Sequence, residues 1–271
     1  MIVSRITATF VAAVCMAVAA LGQGTAVAKT ALSSAETDRI IKRFTANEAD
    51  FREALKSYVF NRFAAVHTVG LGGNITGTFR RDSFMTFNSD GGRFEKILFA
   101  PVATTPPGFV TPEDLEDLGG VNPFALEPSA IQQYNFNFIG TEHIDELDLY
   151  VFDVTPKVIP DPKKSKLRLF TGRVWVDKDD LMIVKSMGKA VPETKVNKFP
   201  VVETTRAQID GKYWFPVDAR SDDELVFENG SVVKIKMRVR YTNYAVGRTE
   251  VRILDDEPPK PEPSPTPKKP E

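Results

Sequence analysis

Between Ser33 and Tyr58 the apolar positions Ile40, Ile41, Phe44, Phe51, Leu55 and Tyr58 recur at helical spacing, which gathers them on one face of an amphipathic α-helix. Ser33 followed by Glu36 forms the S-x-x-E capping box that starts such a helix. From Val59 the period changes from helical to alternating. Tyr58–Leu71, Ile75–Asn88 and Arg93–Ala100 are rich in β-branched and aromatic residues. The joints Gly72-Gly73-Asn74 and Ser89-Asp90-Gly91-Gly92 have tight-turn chemistry, so the three segments predict an antiparallel meander.

Pro101, Pro106, Pro107 and Gly108 then break the strand rhythm, because proline has no amide to give to a ladder. Thr111-Pro112-Glu113-Asp114 has the composition of a capped helix start with proline at the first position. Two short helices, Pro112–Leu118 and Pro123–Tyr134, are predicted here as an excursion from the sheet. Strands resume at Asn135–Ile144, Leu147–Val154, Leu167–Asp177, Leu181–Ala190, Val201–Ile209, Tyr213–Ser221, Glu224–Phe227 and Ser231–Tyr244. In the last of these, Val233, Ile235, Met237, Val239 and Tyr241 point one way and Lys234, Lys236, Arg238 and Arg240 the other, giving one dry and one wet face. About 10–11 strands with so few helices predict an α+β fold. It is a strongly curved antiparallel sheet with an N-terminal helix and a two-helix lid.

The ends of the chain differ from this pattern. Arg5, the apolar run Phe10 to Leu21 and the small-x-small triplet Ala26-Val27-Ala28 make residues 1–28 an export signal with cleavage expected after Ala28. The product would be periplasmic, with no integral membrane span. Residues 29–255 form the domain, and the proline-rich residues 256–271 form a disordered tail with nothing to bury. The single cysteine, Cys15, leaves with the signal, which removes disulfides, thiolate metal sites and cysteine catalysis together. A net charge of −1, from 35 basic and 36 acidic residues, argues against a nucleic-acid partner.

Chemistry is sparse. His67 and His143 stand apart without a histidine or cysteine at ligand spacing, so no metal site or cofactor is expected. Gly70-Leu71-Gly72-Gly73-Asn74 resembles a phosphate loop but leads into a strand and reads as a hairpin turn. Carboxylates crowd at Asp177, Asp179 and Asp180 and again at Asp222, Asp223 and Glu224, where solvated turns compete with a paired-acid site. The basic row on the last strand is either a solvated face or a docking surface for an acidic partner.

Gly172-Arg173-Val174-Trp175-Val176-Asp177, Leu181-Met182-Ile183-Val184-Lys185 and Ile209-Asp210-Gly211-Lys212-Tyr213-Trp214-Phe215-Pro216 resemble hairpins of the LolA-like superfamily of outer-membrane lipoprotein-sorting proteins, in particular its exported acidobacterial-type members. The resemblance runs from about Phe44 to Tyr244. It implies an incompletely closed half-barrel whose concave side is covered by helices, with Pro112–Leu118 and Pro123–Tyr134 as the lid. It further implies a non-enzymatic carrier of a lipid acyl chain or lipoprotein. On strand position and size, Phe136, Phe138, Phe152, Trp175, Ile235 and Met237 are the expected wall residues. Two rivals stand beside this reading. One is an envelope interaction module with a packed sheet that binds through the basic row and tail. The other is a hydrolase requiring Asp177 and Asp222 to converge.

Overall fold

The structure is a computed structural model that describes residues 26–88, 92–107, 109–111, 114, 126–195 and 197–247. Residues 1–25 of the expected export signal (1–28) and the expected proline-rich tail (256–271) lie outside these. Among the described residues there is one α-helix, α1 (Ser34–Leu55), capped where the sequence places its start: the Glu36 amide donates to Ser33 Oγ at 3.2 Å. The Glu36 carboxylate turns to Arg39 instead of closing the box. The helix ends before Tyr58, because Arg93 donates to the carbonyls of Leu55 (2.5 Å) and Tyr58 (2.6 Å) and so satisfies the freed C-terminal end.

The strands are β1 (Tyr58–Val69), β2 (Ile75–Phe87), β3 (Arg93–Phe99), β4 (Tyr134–Ile144), β5 (Leu147–Pro156), β6 (Leu169–Asp177), β7 (Ile183–Val191), β8 (Val202–Gln208), β9 (Trp214–Val226) and β10 (Val232–Val246). They form one antiparallel sheet of 10 strands in the order β3-β2-β1-β10-β9-β8-β7-β6-β5-β4. Two meanders are thus fused along β1 and β10, with Ala64 opposite Val239 and Arg62 opposite Tyr241. β3 and β4 remain edges, so the sheet is open. The Leu71–Gly73 turn between β1 and β2 has Gly72 and Gly73 at φ 79° and 83°, a left-handed conformation that glycine adopts without strain.

Two expectations are corrected. Tyr213–Ser221 and Glu224–Phe227 are one strand, β9, which continues through Asp222-Asp223-Glu224. The outward carboxylates there are met across the ladder by β10 cations, Asp222 by Lys236 at 3.6 Å and Glu224 by Lys234 at 3.7 Å. The expected first lid helix, Pro112–Leu118, lies outside the described residues except for Asp114; the expected second, Pro123–Tyr134, is not an α-helix over its described residues, and positions 123–125 lie outside them. From Leu126 the chain makes a turn at 128–130 and a single 3-10 turn at Ile131–Gln133, then enters β4 at Tyr134. Pro128, which lacks an amide, prevents a continuous helical ladder there. The cap bonds at Thr111 do form: the Asp114 amide donates to Thr111 Oγ1, and the Thr111 amide donates to Asp114 Oδ2.

α1 packs across one face of the sheet and touches distant strands. Phe44 packs against Phe152 of β5 in a tilted contact at 5.7 Å and edge-on against Phe136 of β4 at 5.8 Å. Phe51 meets Phe215 of β9 at 5.5 Å. Seven helical residues cover roughly 10 Å, whereas β5 and β9 are four strand spacings apart, roughly 19 Å in a flat sheet. Contacts from one stretch of helix to strands this far apart are consistent with an open sheet curved around the helix. Each of Ile40, Phe44 and Phe51 is buried and contributes about 1.5–3 kcal/mol.

Between these apolar contacts lies an ion pair. Arg206 of β8 donates to both oxygens of Glu48 at 2.6 and 3.0 Å, and the two side chains are 7% and 3% exposed. Asn47, beside it, donates to the carbonyls of Asp180 and Leu181 in the β6–β7 turn. On the β4 edge, Ala28 exchanges backbone hydrogen bonds with Thr141 at 2.7 and 2.9 Å. Gly140 permits this approach, since a Cβ there would lie 2.3 Å from the Ala28 carbonyl oxygen.

Removing one partner of the buried pair, as in Glu48→Met, lowers unfolding free energy in urea by about 3–5 kcal/mol. Glu48→Met combined with Arg206→Leu loses less than the two single changes together, because neither charge is then left alone. A chain beginning at Lys29 is less stable than one beginning at Ala26 by about 1–2 kcal/mol, the worth of the two Ala28 hydrogen bonds. Thermal melts of the two purified chains measure this.

A candidate ligand cavity on the helix-facing side of the sheet

Buried positions alternate along β1 and β10 on the helix-facing side, and where α1 does not reach it the side chains leave space. A cavity of about 250 Å³ opens between the sheet, α1 and two connecting segments. Its sheet wall is mostly apolar, with Phe170 and Val174 of β6, Ile183 and Ala190 of β7, Val202 of β8, Ala219 and Leu225 of β9, and Ile235, Met237, Val239 and Tyr241 of β10, interrupted by Ser186 and Lys189 of β7 and Thr204 of β8; Asp114, Asn197 and Lys198 add polar groups from the connections. Val66 of β1 closes one side. Phe109, Val110 and Leu126 from the β3–β4 connection and Phe199 and Pro200 from the β7–β8 connection cover it. Glu48 and Arg206 also line it, as a pair already matched to each other.

The covering segments are tied down by charge and stacking at the rim. Arg168 lies over the Phe199 ring at 4.7 Å and 3.5 Å from Asp114. Glu193 accepts from Lys189 at 3.0 Å and from the Phe199 amide at 3.2 Å, with Lys198 at 3.8 Å. Arg52 of α1 pairs with Glu127, which anchors the first of these segments to the helix end.

The six expected wall residues are divided among three places. Ile235 and Met237 line the cavity. Phe136, Phe138 and Phe152 belong to the apolar cluster under the first half of α1, with Phe138 and Phe152 packed at 5.4 Å. Trp175 points to the other face, against Leu149, Val151 and Val184, where its indole donates to Glu142 at 2.7 Å and Lys185 sits over the ring. The structure brings together the Ile235–Met237 pair and separates the rest from it.

The other candidate chemistry resolves into structural roles. Asp177 is buried in the β6–β7 turn and accepts from the amides of Asp179 and Asp180. Burial raises its carboxyl above the ordinary range, opposed by those two hydrogen bonds. Asp180 accepts from the Met182 amide and from the Trp214 indole. Asp222 is on β9 facing Lys236. His67 bonds Thr78 on β2, and His143 bonds Asp148 on β5. No three His, Cys, Asp or Glu side chains among the described residues are grouped to hold a metal ion. On β10, Arg238 meets Asp218 at 2.7 Å and Arg240 lies over Phe63, so the basic row is matched along its length.

Sequence reasoning missed the polar residues that share the cavity's face. Arg62 of β1 is 1% exposed, and its Nη2 donates to Glu95 of β3 at 2.5 Å. Burial pushes its guanidinium below the ordinary value, and the Glu95 charge acts the other way. The signal was present in the alternation Phe60, Arg62, Ala64, Val66, which puts a cation in a row of inward positions. Glu48 carried the same kind of signal, four residues after Phe44 and three before Phe51.

No protein-family model and no curated protein matches this chain. Among solved structures, the 1.75 Å crystal structure of a DUF1329 family protein from Desulfovibrio piger is 14% identical, with a TM-score of 0.34 over 74% of this chain and 90% of that chain. Among the described residues no helix is long and apolar enough to cross a membrane.

Burial pushes the Tyr241 hydroxyl in the cavity wall up to about 12. A raised folded value means that this group's stabilising effect is complete below the unfolded value near 10 and is lost as pH rises toward the folded one. Urea unfolding followed from pH 9 to 12 is therefore expected to show a decline. Tyr241→Phe removes about 2–3 kcal/mol of that decline.

Proposed function

We propose that this chain is an exported, periplasmic carrier that holds the acyl chain of a lipid or lipoprotein in the cavity between α1 and β6–β10, and that it does so without covalent chemistry. The observation that carries the reading is the combination of a roughly 250 Å³ space with a mostly apolar sheet wall and residues of two connecting segments lining it. At about 30 Å³ for each water-sized group, such a space takes about eight methylenes. At about 0.8 kcal/mol for each buried methylene, an eight-carbon stretch gains roughly 6 kcal/mol before the cost of ordering the ligand.

Support also comes from what the acids do. Asp177 and Asp180 hold a turn, Asp222 and Glu224 answer cations across a ladder, and Glu48 answers Arg206. Each has a structural partner, and none of these pairs places two carboxylates on either side of a space for a substrate. A binding role needs only the cavity and a way in, and the connections carrying Phe109 and Phe199 form its cover.

Purified mature protein is expected to take up a fluorescent medium-chain fatty acid and to release co-purified lipid into organic solvent, as read by mass spectrometry. Met237→Trp and Ala219→Leu fill the cavity and weaken uptake at least tenfold. Phe138→Leu, under α1, lowers stability and leaves uptake in the remaining folded protein unchanged. A wild-type chain that neither carries nor captures any acyl compound would overturn the reading.

A further inference from the structure

The triplet Ala26-Val27-Ala28 closes the expected export signal, yet its last two residues are built into the folded domain. The Ala28 amide donates to the Thr141 carbonyl of β4 at 2.7 Å, and the Thr141 amide donates back to the Ala28 carbonyl at 2.9 Å. This is the two-bond exchange of an antiparallel pair. It is laid along the edge of the sheet, where β4 has β5 on its other side. Thr30 Oγ1 adds a contact to Thr141 Oγ1 at 3.2 Å. Val27 packs against the apolar cluster of Leu149, Val151, Trp175 and Val184, on the face opposite α1.

Gly140 makes room for this segment. Its φ is +147°, and a Cβ there would lie 2.3 Å from the Ala28 carbonyl oxygen and 2.9 Å from Val27 Cγ1. The three heavy atoms nearest to that position all belong to Val27 and Ala28. A cut after Ala28 would discard both residues with the signal, and the Thr141 amide and carbonyl would lose their partner on an open edge, where unpaired groups invite another chain. The sequence holds a second bond that keeps both. Gly24-Thr25-Ala26 is a small-x-small triplet like Ala26-Val27-Ala28, so the bond after Ala26 meets the same side-chain requirement as the bond after Ala28.

We propose that the export peptidase cuts between Ala26 and Val27, so that the mature protein keeps Val27 and Ala28 as a short strand on the β4 edge, an inference that rests on the exported reading of this chain. Water adds across the Ala26–Val27 amide. Its hydroxyl goes to the Ala26 carbonyl carbon, which leaves as the carboxylate end of the signal, and a proton goes to the Val27 nitrogen, which becomes the new amino terminus. The Ala28 amide and carbonyl take no part in this cut, so both hydrogen bonds to Thr141 survive it. Val27 likewise stays against the apolar cluster.

The test expresses the full chain in a bacterial host with a periplasm and reads the first residue of the periplasmic product by intact mass and N-terminal sequencing. Val27 is expected. Ala28→Gln, which spoils only the later triplet, leaves the first residue at Val27, whereas Gly24→Gln slows processing or moves the first residue to Lys29. A wild-type product beginning at Lys29, or at any residue other than Val27, overturns the assigned bond and leaves the export reading standing. A chain that stays unprocessed and yields no periplasmic product overturns the export reading and this inference with it. A second measurement checks that the retained residues are docked: Gly140→Ala is expected to lower the Tm of a chain beginning at Val27 by about 3 °C more than that of a chain beginning at Lys29. Equal losses in the two chains would mean that Ala28 does not hold the β4 edge, and the reason for the earlier cut falls.

Discussion

One buried ion pair sets the geometry of the molecule. Glu48 of α1 and Arg206 of β8 meet through two hydrogen bonds between the two apolar clusters that α1 forms with the sheet. Two charges with so little exposure are tolerable only together, because either one alone would have to be desolvated without a partner. The pair therefore acts less as a source of net stability than as a register mark. A slide of α1 by one turn would break it and would also withdraw Phe44 from Phe152 and Phe51 from Phe215. With α1 fixed in this way, its bulk lies over β4–β6 at one end and over β1, β9 and β10 at the other, and the cavity is the stretch of β6–β10 wall it leaves uncovered.

Much of this fold is legible in the sequence because the periods are clean. The helix follows from the apolar positions Ile40, Phe44 and Phe51, and β10 follows from the alternation of Ile235, Val239 and Tyr241 with Lys234, Lys236, Arg238 and Arg240. Periodicity gives the face of an element but not what covers that face. Phe136, Phe138 and Phe152 have the size and strand position of a ligand wall, yet α1 occupies the space in front of them. Trp175 alternates with Val174 and Val176, which face α1, so its own side chain faces away. Ile235 and Met237 differ from these only in lying on a strand that the helix leaves partly bare. Which strand that is depends on the pairing of β1 with β10, a contact between distant segments that local pattern does not carry.

Charge on the outer face follows a different logic. The row Lys234, Lys236, Arg238 and Arg240 looks like a cationic surface when β10 is read alone. β9 places Glu224, Asp222 and Asp218 opposite or beside it. The resulting cross-strand pairs are exposed, so each contributes little stability. What they do remove is a one-signed field, and with it the strongest reason to expect an anionic surface to dock there. The acidic stretch in β9 that resembles a turn in isolation is likewise a strand because its partner supplies the compensating charge.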